Sequence, residues 1–178
     1  MAIIKLNNQS ISAVSALPAG ITTGKVLQVV EDIQNLGNAL SSSSHGTWID
    51  SGLSALTITP SSTSSKILIG YYDIRGHTNS AAGNDGSFYT IFRDINGGGY
   101  ANIGQATYGL QETAASTADN TAIPLDLVYV DEPNTTSAVS YKAYFKSYDS
   151  SGQYYFHHVG YAGGSSMPIV KIAMEIQG

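Results

Sequence analysis

The chain contains no cysteine, so neither a disulfide nor a thiolate metal site can hold it together; packing, hydrogen bonding and association must do so. Charge is scarce too. Asp, Glu, Lys and Arg make up 12% of the 178 residues, about half the usual share. Eight basic residues against thirteen acidic ones give a net charge of −5, and the basic ones are scattered singly. That leaves no patch for neutralising phosphates and argues against nucleic acid as a partner. Long apolar runs are missing as well. The opening Met1-Ala2-Ile3-Ile4-Lys5-Leu6 reaches polar Asn7 too soon for a secretory core or a membrane span. The expectation is assembly in the cytoplasm of the producing cell, without membrane insertion.

What is present is apolar and hydroxyl-rich. The sequence is 42% apolar, with 19 glycines, 12 tyrosines and abundant Ser, Thr and Asn. β-branched and aromatic residues between turn formers favour many short strands over helices, and the length suits one domain with a short appendage. The fold class expected is all-β.

Residues 1–44 contain no aromatic side chain, unlike the remainder. Within them, 3–6 and 26–30 read as short strands and Leu17-Pro18-Ala19-Gly20 as a turn. Neither strand could bury both faces alone, so Ile3, Ile4, Leu6, Val26, Leu27, Val29 and Val30 are candidate docking residues of an extended anchoring arm. Residues 31–40 carry Ile33, Leu36 and Leu40 at near-helical spacing, weakened by Gly37, and fit a short helix or an irregular linker equally well. The serine run at 41–44 marks the boundary, giving an arm at 1–44 and a globular domain at 45–178.

Period-two patterns recur at 47–50, 53–59, 66–75, 88–94, 125–130, 139–148, 154–159 and 169–176, predicting eight strands. Eight antiparallel strands in that length suit a two-sheet β-sandwich of jelly-roll type. In the last strand, Val170, Ile172, Met174 and Ile176 alternate with Lys171, Ala173 and Glu175, and the apolar set is expected to face the core. Pro60 and the serines after it read as a hairpin-like connection to the strand starting at Lys66, while 77–86 and 96–122 read as long loops.

The stretch Leu53-Ser54-Ala55-Leu56-Thr57-Ile58-Thr59-Pro60-Ser61-Ser62-Thr63-Ser64-Ser65-Lys66-Ile67-Leu68-Ile69 resembles a segment of small tail-fibre-like and virion structural proteins of marine and freshwater tailed phages. Two further segments carry the same resemblance. They are Met1-Ala2-Ile3-Ile4-Lys5-Leu6-Asn7-Asn8-Gln9-Ser10 with Gly24-Lys25-Val26-Leu27-Gln28-Val29-Val30, and Ala173-Met174-Glu175-Ile176-Gln177-Gly178. The resemblance implies a virion location, a homotrimer with a jelly-roll-like distal domain, and no catalytic residues. Residues 77–122 match nothing in it.

Candidate chemistry is thin. His157 and His158 would point to opposite faces of a strand, so a metal site would need one His per chain around a trimer axis; His45, His77 and this pair read more simply as surface or packed histidines. Asp94-Ile95-Asn96-Gly97 begins like a calcium loop but lacks a downstream acidic ligand, which favours a hairpin turn. Serine is too abundant for a Ser-His-Asp set to mean anything, and no Gly-x-Ser-x-Gly elbow occurs. The carboxylates sit mostly beside turn residues and read as solvated. No cofactor, metal or enzymatic activity is expected. Tyr100 and Tyr161 between glycines, with Tyr108 and Trp48, are candidate ligand or interface residues, since such rings serve subunit contacts and sugar stacking alike.

Two functions compete on these grounds. One is a capsid-decorating or cement protein bound to other virion proteins through its arm. The other is a tail-fibre tip contacting host surface glycans.

Overall fold

A computed structural model describes residues 25–36, 41–42, 46–78, 86–113, 121–147, 154–156 and 167–178. Among them are twelve strands and no helix. These are β1 (Val26–Leu36), β2 (Ser41–Ser42), β3 (Ile49–Asp50), β4 (Leu56–Ile58), β5 (Lys66–Thr78), β6 (Ser87–Ile95), β7 (Ala101–Asn102), β8 (Gln111–Thr113), β9 (Thr121–Asp131), β10 (Val139–Ser147), β11 (Tyr154–Phe156) and β12 (Met167–Ile176).

Every pairing is antiparallel, and the strands form two sheets. Several short strands share one track. β11 and β12 lie end to end along one edge of β5, whose other edge carries β9. β1 and β2 then flank β12 and β11. In the second sheet β3 and β4 share an edge of β10, and β7 and β8 share an edge of β6. The twelve strands thus fill eight tracks. The first sheet runs β1/β2, β11/β12, β5, β9, and the second runs β3/β4, β10, β6, β7/β8. Numbering the tracks by chain order gives 1-8-3-6 facing 2-7-4-5, the double Greek key of a jelly roll. The β-sandwich expected from the sequence is therefore present, with eight tracks built from twelve segments rather than from eight unbroken strands.

The core lies between the sheets, where Ile67, Ile69, Tyr71 and Ile74 of β5 and Leu125 and Leu127 of β9 meet Tyr89, Ile91, Val139, Tyr141, Ala143 and Phe145. A bulge keeps β5 in phase. Asp73 takes φ 64°, Asp126 Oδ1 accepts its amide at 3.0 Å, and the register shifts between Tyr71 and Ile74, so Ile74 and Gly76 point inward after Tyr71.

Polar clasps also join the layers. Arg93 donates to both carboxylate oxygens of Asp131 across the sandwich (2.8 and 3.1 Å), and the Tyr141 hydroxyl donates to Asp131 at 2.8 Å. Asp131 is thus a buried partner rather than a solvated carboxylate. On the β1 side, fully buried Lys171 reaches Asp32 (2.6 Å), the Ser54 hydroxyl (2.5 Å) and the Ser54 carbonyl (3.1 Å). Glu175, 1% exposed, accepts from the Ser61 amide and hydroxyl, the Ser65 hydroxyl and Gln28 Nε2 at 2.6–2.8 Å. Burial raises its pKa, but these bonds outweigh burial and hold it at about 2.

These clasps reverse the expected orientation of the last strand. Ile169, Lys171, Ala173 and Glu175 are buried between the sheets, whereas Val170, Ile172, Met174 and Ile176 stand half-buried on the outer face. Residues 31–36 are a correction of a second kind, since they continue the strand begun at Val26 and pair with β12 down to Leu36–Met167 instead of forming a helix or linker. The Pro60 segment is no hairpin either, because β4 and β5 belong to different sheets and residues 59–65 turn the corner between them. The supposed loop at 96–122 holds β7, β8 and the start of β9. Asn96-Gly97 is a turn, with Asn96 at φ 53°, Gly97 at φ 77° and the Gly99 amide on Asp94 Oδ1 at 2.9 Å.

Candidate functional site: two outer faces

Each sheet has an outer face, and the two are built differently. On the first sheet, cross-strand partners align apolar side chains in rows. Val29 pairs with Met174, Met174 with Leu68 and Leu68 with Val130, so one apolar row crosses all four tracks. The next row is Glu31, Ile172, Gly70 and Val128, and a third is Ile33, Val170 and Tyr72. Tyr72 lies across Gly70, where an added Cβ would meet its ring at 2.5 Å, so the phenol fills the gap that glycine leaves in the middle row. Val29 (54%), Ile33 (62%), Val128 (48%) and Val130 (47%) are largely exposed. Charge is confined to the margin, with Glu31 on β1, Lys66 paired to Glu132 at 2.6 Å, and Asp73 and Arg75 beside a shallow pocket shared with Met167 and Pro168.

On the second sheet the outward side chains mix aromatic rings with Thr90, Ser140, Lys142 and Lys146, and the chain covers one end of the face itself. Phe92 stacks on Tyr144 at 3.9 Å between ring centroids, and Tyr100 tilts against Tyr144 at 6.4 Å. Lys142 joins them, 2.7 Å from Asp50 Oδ2 and 5.3 Å from the Tyr100 ring centre. Its bond to Asp50 raises its pKa. Residues 103–110 fold back over the other end of this face. The Leu110 amide donates to the Tyr89 carbonyl, the Trp48 indole N–H donates to the Ala106 carbonyl at 3.2 Å, and Tyr108 packs on Phe88 at 5.4 Å. The Lys146 ammonium sits 4.6 Å from the Trp48 ring centre and 5.5 Å from that of Phe88, and burial lowers its pKa.

The candidate residues separate onto these surfaces. Trp48, Tyr100 and Tyr108 gather on the second sheet's outer face, with Tyr108 57% exposed at its rim. Val26, Leu27 and Val29 are exposed on β1, whereas Val30 packs against the core. Ile3, Ile4, Leu6 and Tyr161, and the side chains of all four histidines, lie outside the described residues. Sequence reading missed the apolar rows because it assigned the apolar side of β12 to the core. Among the described residues no group of three or more potential metal ligands gathers, and no helix is long and apolar enough to cross a membrane.

No protein-family model and no curated protein matches this chain. Among solved structures, it is similar to the VP2 subviral particle of infectious bursal disease virus, at 12% identity over 90% of this chain and 43% of the other, with a TM-score of 0.43. The Gx strain of the same virus gives 11% identity over 90% and 42%, with a TM-score of 0.43. The chain spans less than half the length of these chains.

Proposed function

We propose that this chain is a non-enzymatic structural protein of a bacteriophage virion surface, a homotrimeric capsid decoration or cement protein. The observation that carries the reading is the apolar row crossing all four tracks of the first sheet, with Val29, Val128 and Val130 largely exposed. An apolar face of that extent belongs to a molecule that works in an assembly. The sequence resemblance to phage virion proteins supplies the kind of assembly. The best-buried carboxylates support a structural role, since Asp131 and Glu175 are tied up in bonds that hold the sheets together.

Docking to the capsid is proposed for residues 1–44, with Ile3, Ile4, Leu6 and the exposed Val26 and Leu27 as its contacts, since Val30 packs against the core and Val29 belongs to the apolar row. β1 is an outermost strand and suits pairing with a strand of a capsid neighbour. A density map of the purified virion tests this. Density for the chain on capsid lattice sites supports decoration, and density only at the tail contradicts it.

The second reading, a tail-fibre tip contacting host surface glycans, is favoured by the exposed Tyr108 beside Phe88, Lys146 and Trp48, with Tyr100 and Tyr161 as further contacts. Glycan-array binding that disappears in Tyr100→Ala and Tyr108→Ala would support it over the capsid site.

A further inference from the structure

We infer that the outer face of the first sheet is the contact between copies of this chain, with the rows Val29–Met174–Leu68–Val130, Ile172–Gly70–Val128 and Ile33–Val170–Tyr72 at its centre. The inference rests on the homotrimer component of the proposed function and names the surface that component requires.

Three observations select a second copy as the occupant. The first is extent. Four tracks about 4.8 Å apart and 11 residues long on β1, at about 3.3 Å per residue, give a face of roughly 700 Å². Three such faces turned toward one three-fold axis, each meeting both neighbours, bury roughly 2,100 Å² in all, an extent in keeping with stable specific assemblies. The second is charge. The centre is neutral and the margin carries both signs, Lys66 and Arg75 with Glu31, Asp73, Asp126 and Glu132. A margin carrying both signs can pair charges between neighbouring copies, while the neutral centre offers nothing to a strongly charged partner. The third is the phase of β12. Its charged side chains turn inward to intramolecular partners, and the apolar alternate set is left outward across the full width of the sheet. That set is buried only if something outside this sandwich lies on it.

Native mass spectrometry and light scattering of the full chain test the inference, with Ile172→Lys, Val128→Lys and, on the opposite side, Thr107→Lys. The expected result is an oligomeric wild type, an oligomeric Thr107→Lys, and at least ten-fold weaker self-association in Ile172→Lys and Val128→Lys. Circular dichroism should show that both keep the β fold. Val128 is half exposed on an edge strand, so Val128→Lys keeps the test decisive should Ile172→Lys fail to fold. Oligomers that survive both lysines overturn this face as the contact while leaving the trimer intact. A wild type monomeric at tens of micromolar overturns the inference and the homotrimer together. It would leave residues 1–24 or a different virion protein as the occupant, while the virion location stands or falls on the particle map.

Discussion

The two outer faces of the sandwich start from the same problem and solve it differently. Both sheets place large apolar side chains on the side away from the core. On the second sheet, residues 103–110 fold back, Trp48 anchors them to the Ala106 carbonyl, and Phe88 is left only 4% exposed under Tyr108 and Lys146. On the first sheet, Ile33 remains 62% exposed and Val29 54%. The chain covers one end of the second face with its own loop and leaves the apolar row of the first without such a cover among the described residues. On the proposed contact between copies, surface burial is divided between folding and assembly.

Breaking the inward side of β12 should have the largest effect on folding. Lys171→Ala removes a fully buried side chain together with its bonds to Asp32 and Ser54, and should lower stability by about 3 kcal/mol in urea unfolding at fixed protein concentration. Trp48→Ala, on the covered outer face, should cost about 2 kcal/mol through lost ring packing and the Lys146 contact. Limited proteolysis should then cut within 103–110, while intact cleavage resistance would mean that Trp48 does not pin that segment.

An intermediate effect is expected at Glu175. Its pKa is about 2 in the folded chain against an ordinary 4.5. A lowered folded value means that its contribution is complete above about pH 4.5 and is lost as the pH falls toward 2. Unfolding free energies from denaturant titration should therefore decline over that window by on the order of 1–2 kcal/mol more in wild type than in Glu175→Gln. Parallel declines in the two proteins would show that the serine cage does not hold a carboxylate. The smallest folding effect belongs to the bare face, where Ile33→Ser should change the stability of the isolated chain by less than about 0.5 kcal/mol.

Part of this division was legible in the sequence. The alternation at 66–75 and 139–148 marked two central strands, and the abundance of Gly, Tyr and β-branched residues pointed to a sandwich. Trp48, Tyr100 and Tyr108 stand out in the sequence as single rings, and that they lie on one face emerges only from the strand pairing. Two-residue strands such as Ile49–Asp50 and Ala101–Asn102 carry no readable period, so their tracks emerge only from pairing. β1 was misread beyond Val30 because its inward positions Asp32 and Gln34 are polar. They serve Lys171 and Ser54, partners that exist only once the sheets have met. The phase of β12 was inverted for the same reason, since nothing in the local pattern tells that Lys171 and Glu175 find partners inside.

The most direct test of the central claim uses the absence of cysteine. Single cysteines at Ile33 and at Tyr108, 62% and 57% exposed in the isolated chain and on opposite faces, can be labelled with a maleimide in the full-length native protein. The account predicts that Ile33→Cys is protected until the protein is dissociated, while Tyr108→Cys reacts freely. Equal, rapid labelling at both positions would contradict it.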